Sequence, residues 1–236
     1  IMNQLNYWFK WNEVKSTDYG IYIAEQPNII KPAERVSYIT IPGRSGSLTQ
    51  LQGEDVYEDI TLTVECFIAD STRIDEIGEY LSGNGILELA ARQGGYFRGR
   101  IANQIDFKQI LRGHPNRSFS VVWRLEPFWR SKTTSDIKLT TNGSVINPGT
   151  TFAYPIITVA CNGSGTLIVG ETAVVLSDVP SKIILNGTLQ EAYSDTVSLN
   201  DCMTGDFPKL LPGSNVVRFN GDITSVEISA EWRYLI

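Results

Sequence analysis

A mainly β protein in two domains, α+β in the first and all-β in the second, is what this sequence predicts. Three observations predict it. Apolar and polar residues alternate with period two over several long stretches, the pattern of a strand with one buried face. Asn-Gly occurs five times, four of them after residue 140, and both residues tolerate the positive φ of tight turns. Only one stretch combines helical spacing with start and stop residues. With 236 residues and 42% apolar content, the chain has enough apolar surface to bury a core. At about 150 residues per domain it makes between one and two domains.

Taken in order, residues 2–15 lack a basic start followed by an apolar stretch, so no secretory leader is expected. No apolar run approaches the roughly 18 residues of a membrane helix. Ile60, Leu62, Val64, Cys66 and Ile68 alternate with Thr61, Thr63, Glu65 and Phe67, which places Phe67 on the wetter face of a strand. A helix follows: Thr72 with Asp75 fits a capping pattern, Ile74, Ile77 and Leu81 share one face, and Gly83 stands at the stop. Gly85 and Gly94-Gly95 then bracket a short strand over residues 86–91. Phe119, Val121, Trp123 and Leu125 mark another strand. Residues 130–136 contain no apolar side chain, which sets the domain boundary there: an N-terminal domain over 1–130 and a C-terminal domain over 131–236. The Asn-Gly turns of the second part divide it into short strands, the signature of a sandwich or barrel. Val226, Ile228, Ala230, Trp232 and Tyr234 predict one final strand paired inside a sheet.

The residues that carry most catalytic chemistry are scarce. Cys66, Cys161 and Cys202 are an odd number with no CxxC spacing, and there is one histidine, His114. Neither a disulfide framework nor a zinc site is expected. Gly43-Arg44-Ser45-Gly46 lacks the lysine of a phosphate loop and reads as a glycine turn between strands. Gly163-Ser164-Gly165 lacks the third glycine of a dinucleotide site. A Ser/His/Asp triad would have to use His114, which lies in a turn sequence, and no nucleophile elbow is present. The carboxylate pairs Glu54-Asp55 and Glu58-Asp59 read as solvated edges. No catalytic residue, cofactor or metal is expected.

Charge is more informative. The net charge is −6, which disfavours nucleic acid as a partner, yet residues 1–91 carry −8 and residues 92–130 carry +6. Aromatic stacking by Tyr96, Phe97 and Phe107 beside the basic segment is the nucleic-acid reading. Self-association, a basic face on one copy meeting an acidic face on the next, is the reading we favour, because the whole chain is acidic. Candidate interface residues are Trp8, Trp11 and Trp129 near chain or domain ends, exposed-face Phe67, Arg44 in the glycine turn, and Arg98 and Arg100 of the basic segment. Large aromatics just as readily plug their own core.

Residues 38–48 (YITIPGRSGSL) followed by 57–64 (YEDITLTV) resemble the distal tail protein (Dit) family of siphophages. So do residues 121–129 (VVWRLEPFW), where the first domain of that family closes on a strand ending in Pro-Phe. In the second half the matching segments are 145–149 (VINPG), 154–157 (YPII), 185–187 (LNG) and 211–215 (LPGSN). The resemblance covers nearly the whole chain. It implies a tail-tip hub ring of six subunits, made by the N-terminal domains, with galectin-like β-sandwich C-terminal domains projecting outward. The ring joins the tail tube to the tail-associated hub protein and carries receptor-binding proteins in some members. DNA passes through without specific binding, and no membrane is involved. The implied location is the tail tip of the virion, after assembly in the host cytoplasm. Some members carry an inserted module in the second domain; the residues after Arg130 suit a single small sandwich.

Two other classes compete. A carbohydrate-binding host-recognition module would use the second domain, but its aromatics are few and alternation puts Trp232 and Tyr234 on the buried face. A cell-wall hydrolase conflicts with the single histidine and the absence of a nucleophile elbow.

Overall fold

The longest alternating stretches become the centre of the first sheet. The computed structural model describes residues 7–53, 55–134 and 136–235. The chain divides into two compact units, one running to Trp129 and taking up Leu235 again, the other spanning Arg130–Tyr234.

In the first unit, β1 (Phe9–Trp11), β2 (Val14–Lys15) and β3 (Ile21–Ile23) precede a separate hairpin of β4 (Val36–Thr40) and β5 (Ser47–Leu51). Then come β6 (Ile60–Ile68), α1 (Ile74–Tyr80), β7 (Asn84–Leu89), β8 (Arg92–Ile101), β9 (Lys108–Gln109) and β10 (Arg117–Leu125). The main sheet runs in the order β2-β1-β7-β8-β10-β6-β3, all antiparallel. β6 and β10 pair over nine residues, from Ile60 opposite Leu125 to Ile68 opposite Arg117. Their inward residues meet Phe9, Trp11, Leu87, Phe97 and the helical Ile77 and Leu81 in one core. Thr61, Thr63, Glu65 and Phe67 stand exposed on the opposite face.

Two local expectations are corrected here. α1 begins after Arg73 with no side-chain cap. Thr72 does not cap the helix; its N–H (2.9 Å) and hydroxyl (2.8 Å) both donate to the Asp70 carboxylate, which holds that carboxyl below the usual aspartate value. A turn at Ala90-Ala91, not the glycine pair, ends β7; Gly94-Gly95 lies inside β8, where the register with β7 shifts.

The second unit is a two-sheet sandwich. It contains β11 (Trp129–Ser131, reaching in from the boundary), β12 (Ile137–Leu139), β13 (Gly143–Asn147), β14 (Pro155–Cys161), β15 (Gly163–Val169), β16 (Thr172–Val179), β17 (Lys182–Asn186) and β18 (Glu191–Ser194). The series ends with β19 (Val197–Ser198), β20 (Met203–Thr204), β21 (Gly213–Phe219), β22 (Ile223–Ala230) and β23 (Arg233–Tyr234). One sheet has the order β12-β22-β14-β17-β18-β19, the other β13-β21-β15-β16-β20. Ile157, Val159, Ile183 and Val226 of the first sheet share a buried core with Leu167, Val174, Leu176 and Val217 of the second.

Of the five Asn-Gly pairs, only Asn186-Gly187 turns a hairpin between neighbouring strands, β17 and β18. Asn162-Gly163 and Asn220-Gly221 instead carry the chain from one sheet to the other, with φ of +132° at Gly163 and +73° at Gly221. The two corners lock together: Ser164 N donates to the Asp222 carboxylate (2.8 Å) and Asp222 N to the Ser164 carbonyl (2.9 Å).

The expected final strand over 226–234 is broken. β22 stops at Ala230, because the next residues are engaged elsewhere. Glu231 pairs with Arg130 at 2.9 Å and the Trp232 carbonyl accepts Ser131 N at 3.0 Å, so the chain leaves the sheet to form β23 beside β11.

Candidate functional site

The outer face of the first unit's sheet and the β4–β5 hairpin are the two surfaces where the candidate residues collect. On the sheet, Arg98 and Arg100 project from β8, with Arg100 directly opposite Arg124 on β10. The strands come this close because Gly99 lies between them: a Cβ there would strike the Arg124 carbonyl. Like charges facing each other across strands repel. Arg124 is neutralised by Asp59, Nε to Oδ2 at 2.6 Å, whereas Arg100 has no ion-pair partner among the described residues. Asp59, Ile86, Arg98, Arg100, Arg124 and Glu126 line an open depression of about 570 Å³. Sequence reasoning singled out Arg98 and Arg100 but not Arg124; strand register is what brings the third guanidinium alongside.

Further along the same face Phe67, 39% exposed, stacks on Tyr22 of β3 at 5.5 Å between ring centroids. Between these two groups Ser120 donates to the Glu65 carboxylate at 2.7 Å. Tyr22 went unnoticed in the sequence because β3 is only three residues long and shows little alternation.

The hairpin is unlike any other part of this unit. Val36 pairs with Leu51, Tyr38 with Thr49 and Thr40 with Ser47, yet the hairpin belongs to no larger sheet. Its base is pinned: Arg35 N donates to the Val56 carbonyl (2.9 Å), Gln52 N to the Arg35 carbonyl (3.0 Å), and the Arg35 guanidinium reaches Glu58 at 3.0 Å. Beyond that base Tyr38 is 69% exposed and Leu51 58%, and Ile39, Ile41 and Leu48 are exposed too. Ile39 and Leu48 lie opposite one another on one face, Tyr38 and Leu51 on the other. None of these side chains joins a core. Arg44 stands exposed at the tip, its N–H donating to the Ile41 carbonyl at 3.2 Å.

The tryptophans divide. Trp11 is a correction to the interface expectation: it is 1% exposed, its indole N–H donates to the Ser82 carbonyl at 3.0 Å, and it presents no surface to a neighbour. Trp8 is half-buried under the Lys15 ammonium at 4.7 Å. Trp129 is half-buried with the Arg92 guanidinium 4.4 Å from its ring. Of the aromatics in the nucleic-acid reading, Phe97 is buried, Phe107 is half-buried and packed on Phe119 at 4.8 Å, and Tyr96 is half-buried.

Glu58 and Asp59 are ion-paired rather than free, and Glu54 lies outside the described residues. His114 sits in an exposed turn, its N–H donating to the Leu111 carbonyl at 3.1 Å. Among the described residues no group of three His, Cys, Asp or Glu is placed to hold a metal, and no helix is long and apolar enough to cross a membrane.

No protein-family profile and no curated protein sequence matches the chain. Solved structures do. The Dit protein (gp 19.1) of phage SPP1, presented as a paradigm of the hub adsorption apparatus in phages infecting Gram-positive hosts, superposes with a TM-score of 0.74 at 11% identity, over 95% of this chain and 98% of its own. A chain of the phage p2 baseplate in its activated conformation gives 0.48 at 9% identity, over 95% and 97%. At 11% identity it is the fold that is shared: over 95% of its length this chain is built on the architecture of the SPP1 Dit protein.

Proposed function

We propose that the chain is a structural subunit of a phage tail tip, closing with five further copies into a hub ring. The observation that carries this reading is the β4–β5 hairpin. A lone two-stranded hairpin is marginal in water, and apolar side chains on both its faces are an aggregation hazard unless something covers them. A neighbouring copy supplies that cover in a head-to-tail ring, where each hairpin lies on the next subunit. The arginine-lined depression and the acidic surplus of residues 1–91 supply complementary charge for the same contact. The architecture shared with a hub adsorption protein supports placing such a ring between the tail tube and the tail-associated hub protein, with receptor-binding proteins at the periphery and DNA passing unread through the middle. On this reading the protein is not an enzyme and works in the virion, after assembly in the host cytoplasm.

The test is solution mass by light scattering, with negative-stain images of the peak. Six copies of the 26.2 kDa chain give about 157 kDa and a ring with a central hole. The triple variant Tyr38→Ser, Ile39→Ser, Leu48→Ser is expected to run as a monomer with an unchanged circular dichroism spectrum. A wild-type protein that stays monomeric at its highest soluble concentration, alone and with the tail-associated protein, overturns the reading.

A further inference from the structure

In the second unit, Tyr154, Thr172, Gln190, Asp206, Phe207 and Lys209 line a half-open cavity of about 380 Å³. We propose that this cavity is a binding site for a single neutral sugar ring.

The walls of this cavity are built before any ligand arrives. The six residues come from four separate segments: the lead-in to β14, the first residue of β16, the β17–β18 turn and the β20–β21 loop. Three of the four segments are fixed from beneath. Ala153 and Leu210 exchange two backbone hydrogen bonds of 2.9 Å, joining the Tyr154 and Lys209 segments. The buried Asn147 amide donates to the Leu210 carbonyl at 2.9 Å and to the Thr151 carbonyl at 3.0 Å. Arg233 Nε donates to the Phe152 carbonyl at 2.9 Å. Gly187 N donates to the Pro155 carbonyl at 3.0 Å, tying the β17–β18 turn to β14. A ligand meeting these loops finds them already ordered, which removes much of the entropic cost of binding.

The groups on those walls suit a polyhydroxyl ring. The Lys209 ammonium has no carboxylate partner among the described residues; it is held 4.9 Å from the Phe152 ring and 5.8 Å from the Tyr154 ring. Asp206 lines the same space with no cation or donor of its own among the described residues. Gln190 spends its amide N–H on the Gly187 carbonyl, which leaves its oxygen as an acceptor. Thr172 and Tyr154 add hydroxyls, and Phe207 an apolar wall. One ammonium and one carboxylate cancel, so the cavity does not select an anion. One carboxylate with an ammonium beside it is no cation site. Separate donors and acceptors around an aromatic-edged space suit a ring of hydroxyls, each of which donates and accepts, above a C–H face. The volume lies at the small end of ligand sites, the size of one pyranose.

The experiment is saturation-transfer NMR and titration calorimetry on the whole protein. The probes are glucose, galactose, rhamnose and N-acetylglucosamine, with inorganic phosphate and glycine as controls. A dissociation constant of millimolar order is expected for at least one sugar. Asp206→Asn and Lys209→Met, both at exposed positions, are each expected to weaken it at least tenfold with the melting temperature and the solution mass unchanged. Overturning results are no transfer from any sugar, sugar binding that survives both substitutions, or tighter binding of phosphate or glycine than of every sugar. The solution mass reports on the ring separately, so either reading can fail alone.

Discussion

Cys66 is a thiol that burial protects twice, by covering the sulfur and by keeping it protonated. Desolvation first, and the Glu65 carboxylate second, push its pKa up to about 12. Burial also raises Cys161, whereas Cys202 is only half-buried. At about pH 8 a thiol reagent is expected to label the folded protein quickly once, at Cys202, and three times after denaturation. Mass spectrometry of the labelled peptides checks this. Because folding raises the Cys66 pKa, the unfolded state ionises first. Its contribution to stability is fully present below the ordinary thiol range near 9 and is lost as pH climbs toward about 12. Denaturation midpoints at about pH 8 and pH 10.5 are expected to fall with pH, and to fall less in Cys66→Val. Trp11 and Phe67 illustrate the same contrast in packing. Trp11→Ala is expected to cost about 3–5 kcal/mol in a denaturant titration. Phe67→Ala loses only an exposed ring stack, about 1 kcal/mol, and its larger effect is expected on assembly.

Among the elements, the β4–β5 hairpin carries the sharpest prediction. In the monomeric hairpin variant, trypsin is expected to cut first at Arg44; in the assembled wild type the same bond is expected to resist. Gel analysis of a digestion time course reads both outcomes, and equal cutting rates would remove the hairpin from the interface. This element also marks the limit of what alternation reveals. β6 and β10 were legible because each buries one face within its own unit, so Ile60 to Ile68 and Phe119 to Leu125 spell out period two. The glycine turn of the hairpin was legible as well. Its exposure was not, because apolar residues look the same in sequence whether their cover comes from this chain or from another. α1 was legible from Ile77 and Leu81, but its start was not: Thr72 has two hydroxyl and amide routes to satisfaction, and Asp70 is nearer than the helix terminus. Three of the segments that carried the Dit resemblance, 145–149, 185–187 and 211–215, prove to be turn locks. Asn147, Asn186 and Asn215 each bind backbone groups a few residues away, which fixes a fold while leaving no trace of chemistry.

At the scale of the whole molecule, the charge segregation bears on the proposed assembly. Residues 92–130 carry +6 against −8 in residues 1–91, and β-pairing interleaves them: Arg124 is neutralised by Asp59, while Arg100 remains unpaired among the described residues. The linear segregation therefore overstates the field where such pairs form, and Arg98, Arg100 and Arg124 share one depression on the sheet with Asp59 and Glu126. If the proposed ring forms and that depression meets acidic side chains of a neighbour, raising salt from about 0.1 to 1 M shortens the screening length from roughly 10 to 3 Å and is expected to shift the assembly toward monomer. Arg100→Glu is expected to do the same at low salt, where a repulsive pair replaces an attractive one. A ring indifferent to both leaves apolar cover by the hairpin as its sole support.

The position of β22 between β12 and β14 has a consequence for biosynthesis. The sandwich's first sheet is laid down with a gap: β12 and β14 leave the ribosome many residues before the strand that joins them. At roughly 5–20 residues per second, the nascent chain waits several seconds with Ile157 and Val159 facing no completed core. The first unit, whose β1 to β10 are all made before residue 126, closes during that wait. A chain released early, before residue 223, therefore carries the β1 to β10 strands of its first unit and an unzipped second unit, whose open sheet edge offers itself to chaperones, proteases or another unfinished chain.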